Sequence, residues 1–186
     1  MPIEIEKKYR LTKRQRQTIE RRLRESGATS RPVEFEENTL YRGGRLDIGN
    51  CILRLRRVNS QRFLLTFKQR LPRKSAIKHQ LEEETEVGDA ESMHAILEQL
   101  GYRPVLIYEK RRARWDVKKA KVVIDELPFG LFMEIEATEN AIRRVEKLIG
   151  AEDLPAVLET YPSLTAKLGR RRNGIVESRF KRTGAK

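Results

Sequence analysis

The stretch Ile3-Glu4-Ile5-Glu6-Lys7-Lys8 alternates apolar and charged side chains with a period of two. On an extended strand both isoleucines point to one face, whereas the two glutamates and the second lysine point to the other. Seven further stretches show the same period, which predicts eight strands in total. The predicted strands are residues 2–10, 33–42, 51–59, 62–69, 76–88, 104–117, 120–127 and 130–138.

Helical patterns are fewer and lie between the strands. Thr12 with Gln15 forms a capping-box pattern at the start of a first helix, and Asp89 can cap a second. A third helix is predicted over residues 139–149, and a short fourth begins near Ser163. A parallel sheet would need a crossover after nearly every strand, and the helices are too few for that. The pattern predicts an α+β fold, with eight antiparallel strands in a barrel or strongly curved sheet and flanking helices.

Composition limits the chemistry that the chain can perform. Its 186 residues are enough for one domain. Cys51 is the only cysteine, which excludes an intramolecular disulfide and a cysteine zinc site, and two histidines argue against a histidine-based metal site. Any metal must therefore be a hard cation held by carboxylates. With no apolar signal region and no bilayer-length apolar run, we expect a cytoplasmic protein without a membrane partner.

The net charge of +13 favours polyanionic partners such as nucleotides, polyphosphate or nucleic acid. Residues 169–186 carry +6 of that charge, from seven basic residues and one glutamate. We predict a folded domain over residues 1–168, followed by a disordered basic tail that is a candidate for weak nucleic acid contact. The oligomeric state is left open by the sequence.

Five same-face pairs of like charge occupy the polar faces of the predicted strands. Three are Glu-x-Glu and two are basic-x-basic, with the members of a pair about 6–7 Å apart along a strand. Such neighbours repel one another, and buried charge is costly unless it meets an opposite charge or an ion. A ligand that combines divalent cations with a polyanion would satisfy both kinds of pair. The pairs are Glu4/Glu6, Glu82/Glu84, Glu134/Glu136, Arg54/Arg56 and Lys110/Arg112.

The order of these motifs resembles that of the CYTH superfamily, the triphosphate tunnel metalloenzymes. Glu4-x-Glu6-x-Lys8 is similar to the opening motif of that family, and the resemblance extends over residues 2–168. The later motifs are Leu53-Arg54-Leu55-Arg56, Thr66-Phe67-Lys68, Glu82-x-Glu84, Lys110-x-Arg112, Asp125, Gly130, Glu134-x-Glu136 and Tyr161-Pro162-Ser163-Leu164. The family includes class IV adenylate cyclases and thiamine, inorganic and RNA triphosphatases. The resemblance implies an eight-stranded antiparallel barrel whose charged interior is a triphosphate tunnel.

The resemblance also implies roles for the charged residues of the tunnel. Some carboxylates would hold Mg²⁺ or Mn²⁺, others would hold a second metal or position and deprotonate the attacking water, and basic side chains would grip the phosphates. The implied metal ligands are Glu4, Glu6 and Glu136. The implied catalytic residues are Glu82, Glu84, Asp125 and Glu134. The implied phosphate ligands are Lys8, Arg54, Arg56, Lys68, Lys110 and Arg112.

Two positions depart from the family pattern. Many relatives carry an aromatic-x-acid element in the second strand, whereas here Tyr41 is followed by Arg42. Gln80 stands two residues before the acidic pair, where a basic residue is common. Lys78 or His79 would have to substitute for it.

Three functional hypotheses follow. The main one is a metal-dependent triphosphatase that hydrolyses the terminal phosphoanhydride of inorganic triphosphate or of an organic triphosphate. An adenylate cyclase that converts ATP to cyclic AMP would use the same motifs, which do not separate the two reactions. The third is a non-catalytic module that binds polyphosphate or RNA, with the basic tail as its contact. Carboxylates facing a polyanion without a metal would repel it, which favours an enzyme.

Overall fold

The structure, a computed structural model, describes residues 3–47, 51–71 and 76–181. Within them the chain forms strands, four α-helices and one 3-10 turn. In chain order these are β1 (Ile3–Leu11), α1 (Lys13–Glu25), β2 (Thr29–Ser30), β3 (Glu34–Arg42), the 3-10 turn (Gly44–Leu46), β4 (Cys51–Val58), β5 (Arg62–Arg70), β6 (Lys78–Val87), α2 (Ala90–Gln99), β7 (Arg103–Val117), β8 (Ala120–Leu127), β9 (Gly130–Glu136), α3 (Glu139–Ile149), α4 (Tyr161–Leu168), β10 (Arg170–Arg172) and β11 (Ile175–Ser178).

Eight of these strands close into an antiparallel barrel. They follow the order β7-β3-β4-β5-β6-β1-β9-β8, and a further pairing between β7 and β8 closes the ring. Every predicted strand is present, with its ends within two residues of the expected positions. The closed ring confirms the predicted barrel.

The barrel is apolar on the outside and charged on the inside. Outward side chains of β1, β8 and β9 pack under α1 and α3, where Tyr9, Met133 and Ile142 are fully buried. Helix α2 covers the outward face of β4 at Leu55. Successive side chains of a strand point to opposite faces of the sheet. Because the apolar side chains pack outward against the helices, the charged side chains between them point into the barrel.

The helices begin at the positions that the sequence marks. Thr12 completes the predicted capping box of α1, and Asp89 accepts two backbone N–H hydrogen bonds at the start of α2. A second capping box joins Thr160 to Ser163 and makes Tyr161 the first residue of α4. No helix in the described part of the chain is long and apolar enough to cross a membrane.

The predicted disorder of the tail is wrong for residues 169–181. β10 and β11 form a hairpin, and β11 pairs in parallel with the first half of β7, which β8 does not reach. β11 therefore supplies backbone partners to an edge that would otherwise be open. The prediction treated the positive charge of this segment as unpaired and therefore as a sign of disorder. In the structure Arg179 forms ion pairs with Glu37 and Glu109, which hold the segment against the barrel. Residues 182–186 lie outside the described residues.

Truncation tests whether the hairpin is part of the fold. Removal of residues 169–186 should lower the melting temperature by roughly 5–10 °C, because about 2–3 kcal/mol of strand pairing and ion pairing is lost. Circular dichroism melts would measure the shift. Removal of residues 182–186 alone is the control and should leave the melting temperature unchanged. Equal melting temperatures for the long truncation and the full chain would show that the hairpin does not stabilise the barrel.

Candidate functional site

The inward-facing charged side chains line a cavity of about 500 Å³ inside the barrel. Twelve of the thirteen predicted site residues lie on its wall. The twelve are Glu4, Glu6, Lys8, Arg54, Arg56, Lys68, Glu82, Glu84, Lys110, Arg112, Glu134 and Glu136. Asp125 is the predicted site residue that is not on the wall, and Glu86, which follows Glu82 and Glu84 at the same spacing on β6, is not on it either.

Asp125 lies behind Arg112 and is fully buried. Arg112 donates to it from Nε to Oδ1 at 2.7 Å and from Nη2 to Oδ2 at 2.6 Å. Nη2 also donates to Glu134 Oε2 at 2.9 Å. Burial works to lower the pKa of Arg112, but the Asp125 carboxylate outweighs it and holds the pKa well above its ordinary value. Asp125 thus fixes the orientation of a cation on the wall, whereas the sequence had suggested direct contact with water or metal.

Glu36, on β3, is a buried carboxylate that the sequence analysis missed. Its Oε2 lies 3.2 Å from Lys110 Nζ and 3.4 Å from Arg56 Nε. Burial works to raise the pKa of Glu36, but Lys110, Arg56 and Arg112 hold it well below the ordinary value. The missed signal is the pair Glu34-x-Glu36, which repeats in β3 the same-face pattern of the other strands.

A second group of ion pairs occupies the wall formed by β1, β5 and β6. Lys68 Nζ lies 2.6 Å from Glu4 Oε2 and 2.9 Å from Glu82 Oε2. Thr66 donates a hydrogen bond of 2.7 Å to Glu84 Oε2. Lys68 therefore stands between two carboxylates that the resemblance assigns to different roles.

Two buried lysines pair with Glu6 on β1 and with Glu134 on β9. Lys78 Nζ lies 3.3 Å from Glu6 Oε1, and Lys8 Nζ lies 3.1 Å from Glu134 Oε1. Burial works to lower the pKa of Lys8, but Glu134 and Glu6 outweigh it and raise the pKa. Lys78 is thus a further basic residue of the wall that the predicted phosphate ligands did not include.

Glu136 shares its end of the cavity with other carboxylates. Burial, together with the charges of Glu4, Glu134 and Glu6, raises the pKa of Glu136 to about 7. Carboxylate oxygens are the ligands that Mg²⁺ and Mn²⁺ prefer, and a cation here would relieve the repulsion. Among the described residues no three acidic, imidazole or thiolate groups already converge on one point. The carboxylates of Glu4, Glu6 and Glu136 suit a hard cation, provided that Lys68 and Lys78 move away from Glu4 and Glu6.

A comparison with known proteins decides the family. The sequence profile of the CYTH domain matches residues 2–156. The chain belongs to the CYTH family. Membership in the family confirms the resemblance. CYTH enzymes bind triphosphate substrates and generally need a divalent metal.

Solved structures share the CYTH fold of this chain. PH1012 from Pyrococcus horikoshii OT3 has a TM-score of 0.75 and 22% identity, covering 87% of this chain and 98% of that chain. PH1819 from the same organism has a TM-score of 0.72 and 24% identity, covering 88% and 98%. HpAC1 from Hippeastrum, described as an adenylyl cyclase candidate with a dominant triphosphatase activity, has a TM-score of 0.68 and 17% identity, covering 85% and 92%. No curated protein matches the chain.

The two departures from the CYTH pattern have structural explanations. Gln80 does reach the cavity, where its amide donates a 2.5 Å hydrogen bond to Glu4 Oε2, and the neighbouring Lys78 supplies the cation. Tyr41 lies outside the cavity wall, and its hydroxyl is 2.9 Å from Nδ1 of His94 on α2. The aromatic residue of the second predicted strand therefore packs with a helix and takes no part in the site.

The buried charge of Glu36 predicts a pH-dependent loss of stability in Glu36→Gln. The folded-state pKa lies below the unfolded value, so this carboxylate contributes stability above the unfolded pKa and loses it as pH falls through the folded pKa. Removal of one partner from a buried ion pair costs about 3–5 kcal/mol. Urea unfolding should show that loss at pH 7 and a smaller loss below about pH 4.

The matched control for this prediction is Glu25→Gln, at an exposed glutamate of α1. It should change the free energy of unfolding by less than about 0.5 kcal/mol at either pH. A Glu36→Gln effect that is equally large at pH 7 and pH 3 would show that its cost does not come from the ionised carboxylate.

Proposed function

We propose that the protein is a divalent-metal-dependent triphosphatase that hydrolyses the terminal phosphoanhydride of inorganic triphosphate or of an organic triphosphate. The observation that carries the proposal is one cavity whose wall holds both the basic residues and a group of carboxylates. The carboxylates would repel a polyanion alone, and the basic residues would repel a cation alone. A complex of metal and triphosphate satisfies both sets.

Basic side chains of the wall are the proposed phosphate ligands. Arg54, Arg56 and Arg112 offer planar forks that suit two phosphate oxygens, whereas lysines act as point charges. The Nε group of Arg54 is buried and makes no hydrogen bond to any described residue, whereas Nε of Arg56 faces Glu36. Arg54 therefore retains a donor for phosphate oxygens. The proposed set is Lys8, Arg54, Arg56, Lys68, Lys110 and Arg112, joined by Lys78.

Glu4, Glu6 and Glu136 are the proposed ligands of Mg²⁺ or Mn²⁺. The cation, when bound, would neutralise charge on the phosphate oxygens and polarise the group under attack. Lys68 and Lys78 now neutralise Glu4 and Glu6. A cation held by these carboxylates would leave Lys78 without Glu6 and able to contact phosphate, and would leave Lys68 paired with Glu82 alone.

The remaining carboxylates fall into two groups. Burial works to raise the pKa values of Glu82 and Glu84, but hydrogen bonds and basic neighbours outweigh it and lower them. Both side chains are thus ionised near neutral pH and can accept a hydrogen bond from the attacking water. Asp125 and Glu134 instead hold Arg112 towards the phosphates. Catalysis then consists mainly of alignment and neutralisation of charge on the leaving phosphate.

The described wall offers a phosphate site, but its aromatic rings are already packed against other side chains. Trp115 belongs to the apolar core outside the barrel, and Tyr161 packs against Tyr108 and Phe132. An adenylate cyclase must hold adenine and ribose and present the 3′-hydroxyl in place of water. A triphosphatase needs only the phosphate site, which favours hydrolysis over the cyclase alternative.

Phosphate release from a substrate panel tests the proposal. We expect metal-dependent release from inorganic triphosphate, thiamine triphosphate or ATP, slower release from pyrophosphate, and none with EDTA. The reason is that pyrophosphate fills fewer of the basic contacts. Assay of cyclic AMP in the ATP samples would detect the cyclase, and cyclic AMP without free phosphate would replace our proposal with it. Binding of triphosphate without turnover would favour the non-catalytic module.

A paired substitution tests the metal ligands. Glu6→Gln should lower kcat/KM for the preferred triphosphate by roughly 100-fold or more, because a charged contact to the transition state is lost. It should also reduce the rise in melting temperature that Mg²⁺, added with a non-hydrolysable triphosphate analogue, gives the wild type. Glu126→Gln is the control, at a half-exposed residue of β8 outside the cavity wall, and should leave both quantities unchanged. Full activity in Glu6→Gln would remove it from the proposed ligands.

A further inference from the structure

Tyr161 ends in a buried hydroxyl that the functions described so far do not use. The side chain is 5% exposed and lines the cavity from the first position of α4. Its hydroxyl makes no hydrogen bond to any described residue. Buried polar groups are nearly always hydrogen-bonded, so an orphan on a cavity wall points to a missing ligand.

Three strands place Tyr161 at the end of the cavity opposite Glu4 and Glu136. On β1, Lys8 is the cavity-wall residue furthest from Glu4, and its Nζ lies 3.8 Å from the centre of the Tyr161 ring. On β9, Phe132 is inward and two positions from Glu134, and the two rings meet edge to face with centroids 5.5 Å apart. On β7, the Tyr108 ring centroid is 6.3 Å away.

The ring also contacts the ammonium groups of two proposed phosphate ligands. Lys8 Nζ lies 3.8 Å and Lys110 Nζ 5.4 Å from the ring centroid, both within the range of cation–π attraction. One rigid ring therefore holds both charges at the same end of the cavity. A phosphate group that contacts both lysines must lie against this ring.

The Tyr161 hydroxyl keeps its proton near neutral pH. Burial, with the carboxylates of Asp125 and Glu134 nearby, raises the pKa of Tyr161 well above its ordinary value. Asp125 attracts the hydroxyl proton, but Arg112 already binds this carboxylate, and the hydroxyl makes no hydrogen bond of good geometry with it. A neutral O–H among cations has phosphate oxygen as its natural acceptor.

We propose that the Tyr161 hydroxyl donates a hydrogen bond to the phosphate group bound at the end of the cavity remote from Glu4 and Glu136. Its ring positions Lys8 and Lys110 on the same phosphate. This assignment rests on the proposed function, and it makes α4 a part of the substrate site as well as of the apolar packing around Leu164.

Tyr161→Phe tests the proposal because it removes only the hydroxyl and keeps the ring. Steady-state hydrolysis of inorganic triphosphate should show kcat/KM reduced about 10- to 100-fold, as expected for a hydrogen bond to a charged group. Calorimetric titration with a non-hydrolysable analogue of inorganic triphosphate in the presence of Mg²⁺ should show weaker binding. The melting temperature of the ligand-free variant should stay equal or rise, since the lost hydroxyl has no partner within the fold.

Tyr9→Phe is the matched control. The Tyr9 hydroxyl donates to Glu146 outside the barrel, so its loss should lower the melting temperature and leave kcat/KM unchanged. Wild-type affinity and turnover in Tyr161→Phe would overturn the assignment alone. A fall in melting temperature with unchanged turnover would make the hydroxyl structural and also overturn it. Failure of the wild type to bind or hydrolyse triphosphate would overturn the proposed function and this inference together.

Discussion

Mutual neutralisation of the charges inside the barrel is the constraint on which the rest of the structure depends. The apolar faces of the strands pack against the helices outside the barrel. The opposite faces, which carry the charged side chains, therefore line its interior. Leaving one such charge unpaired in that interior would cost several kcal/mol. Each cation is accordingly placed against a carboxylate, as Arg112 is against Asp125 and Lys110 against Glu36. The ligand-free barrel is stable because it carries its own counterions.

Ligand binding in such an interior is an exchange of partners. Lys68 bridges Glu4 and Glu82. If either carboxylate bound a metal ion instead, Lys68 would lose one of its two counterions and would be repelled by the cations around it. A metal ion without an anion, or an anion without a metal, therefore breaks pairs that it cannot replace. The proposed function therefore requires a ligand that delivers both charges together, and the buried pair of Arg112 and Asp125 would hold that part of the wall in place.

The sequence predicts the strands and the inward set well, because a period of two assigns every side chain to a face. The period does not show which inward side chains reach the cavity and which lie behind others. Asp125 was therefore expected on the cavity wall, whereas it lies behind Arg112. Glu36 was missed although its strand repeats the Glu-x-Glu pattern, since no motif of the resembling family drew attention to it. The C-terminal hairpin was missed because a count of charges cannot show that Arg179 has two carboxylate partners. The sequence marks Tyr161 as part of a motif, but the unpaired state of its hydroxyl depends on three-dimensional packing.

The position of β1 in the ring has a consequence for how the protein folds. β1 pairs on one side with β6 and on the other with β9, so residue 6 faces residue 78 and residue 136. The hairpins β4–β5 and β8–β9 can form from local contacts, whereas the pairings of β1 close very long loops. Glu4, Glu6 and Glu136 therefore come together only through pairings between strands that are distant in the sequence. We expect this acidic cluster to assemble late, after the local hairpin of β5 and β6 has placed Lys68 and Lys78 beside it.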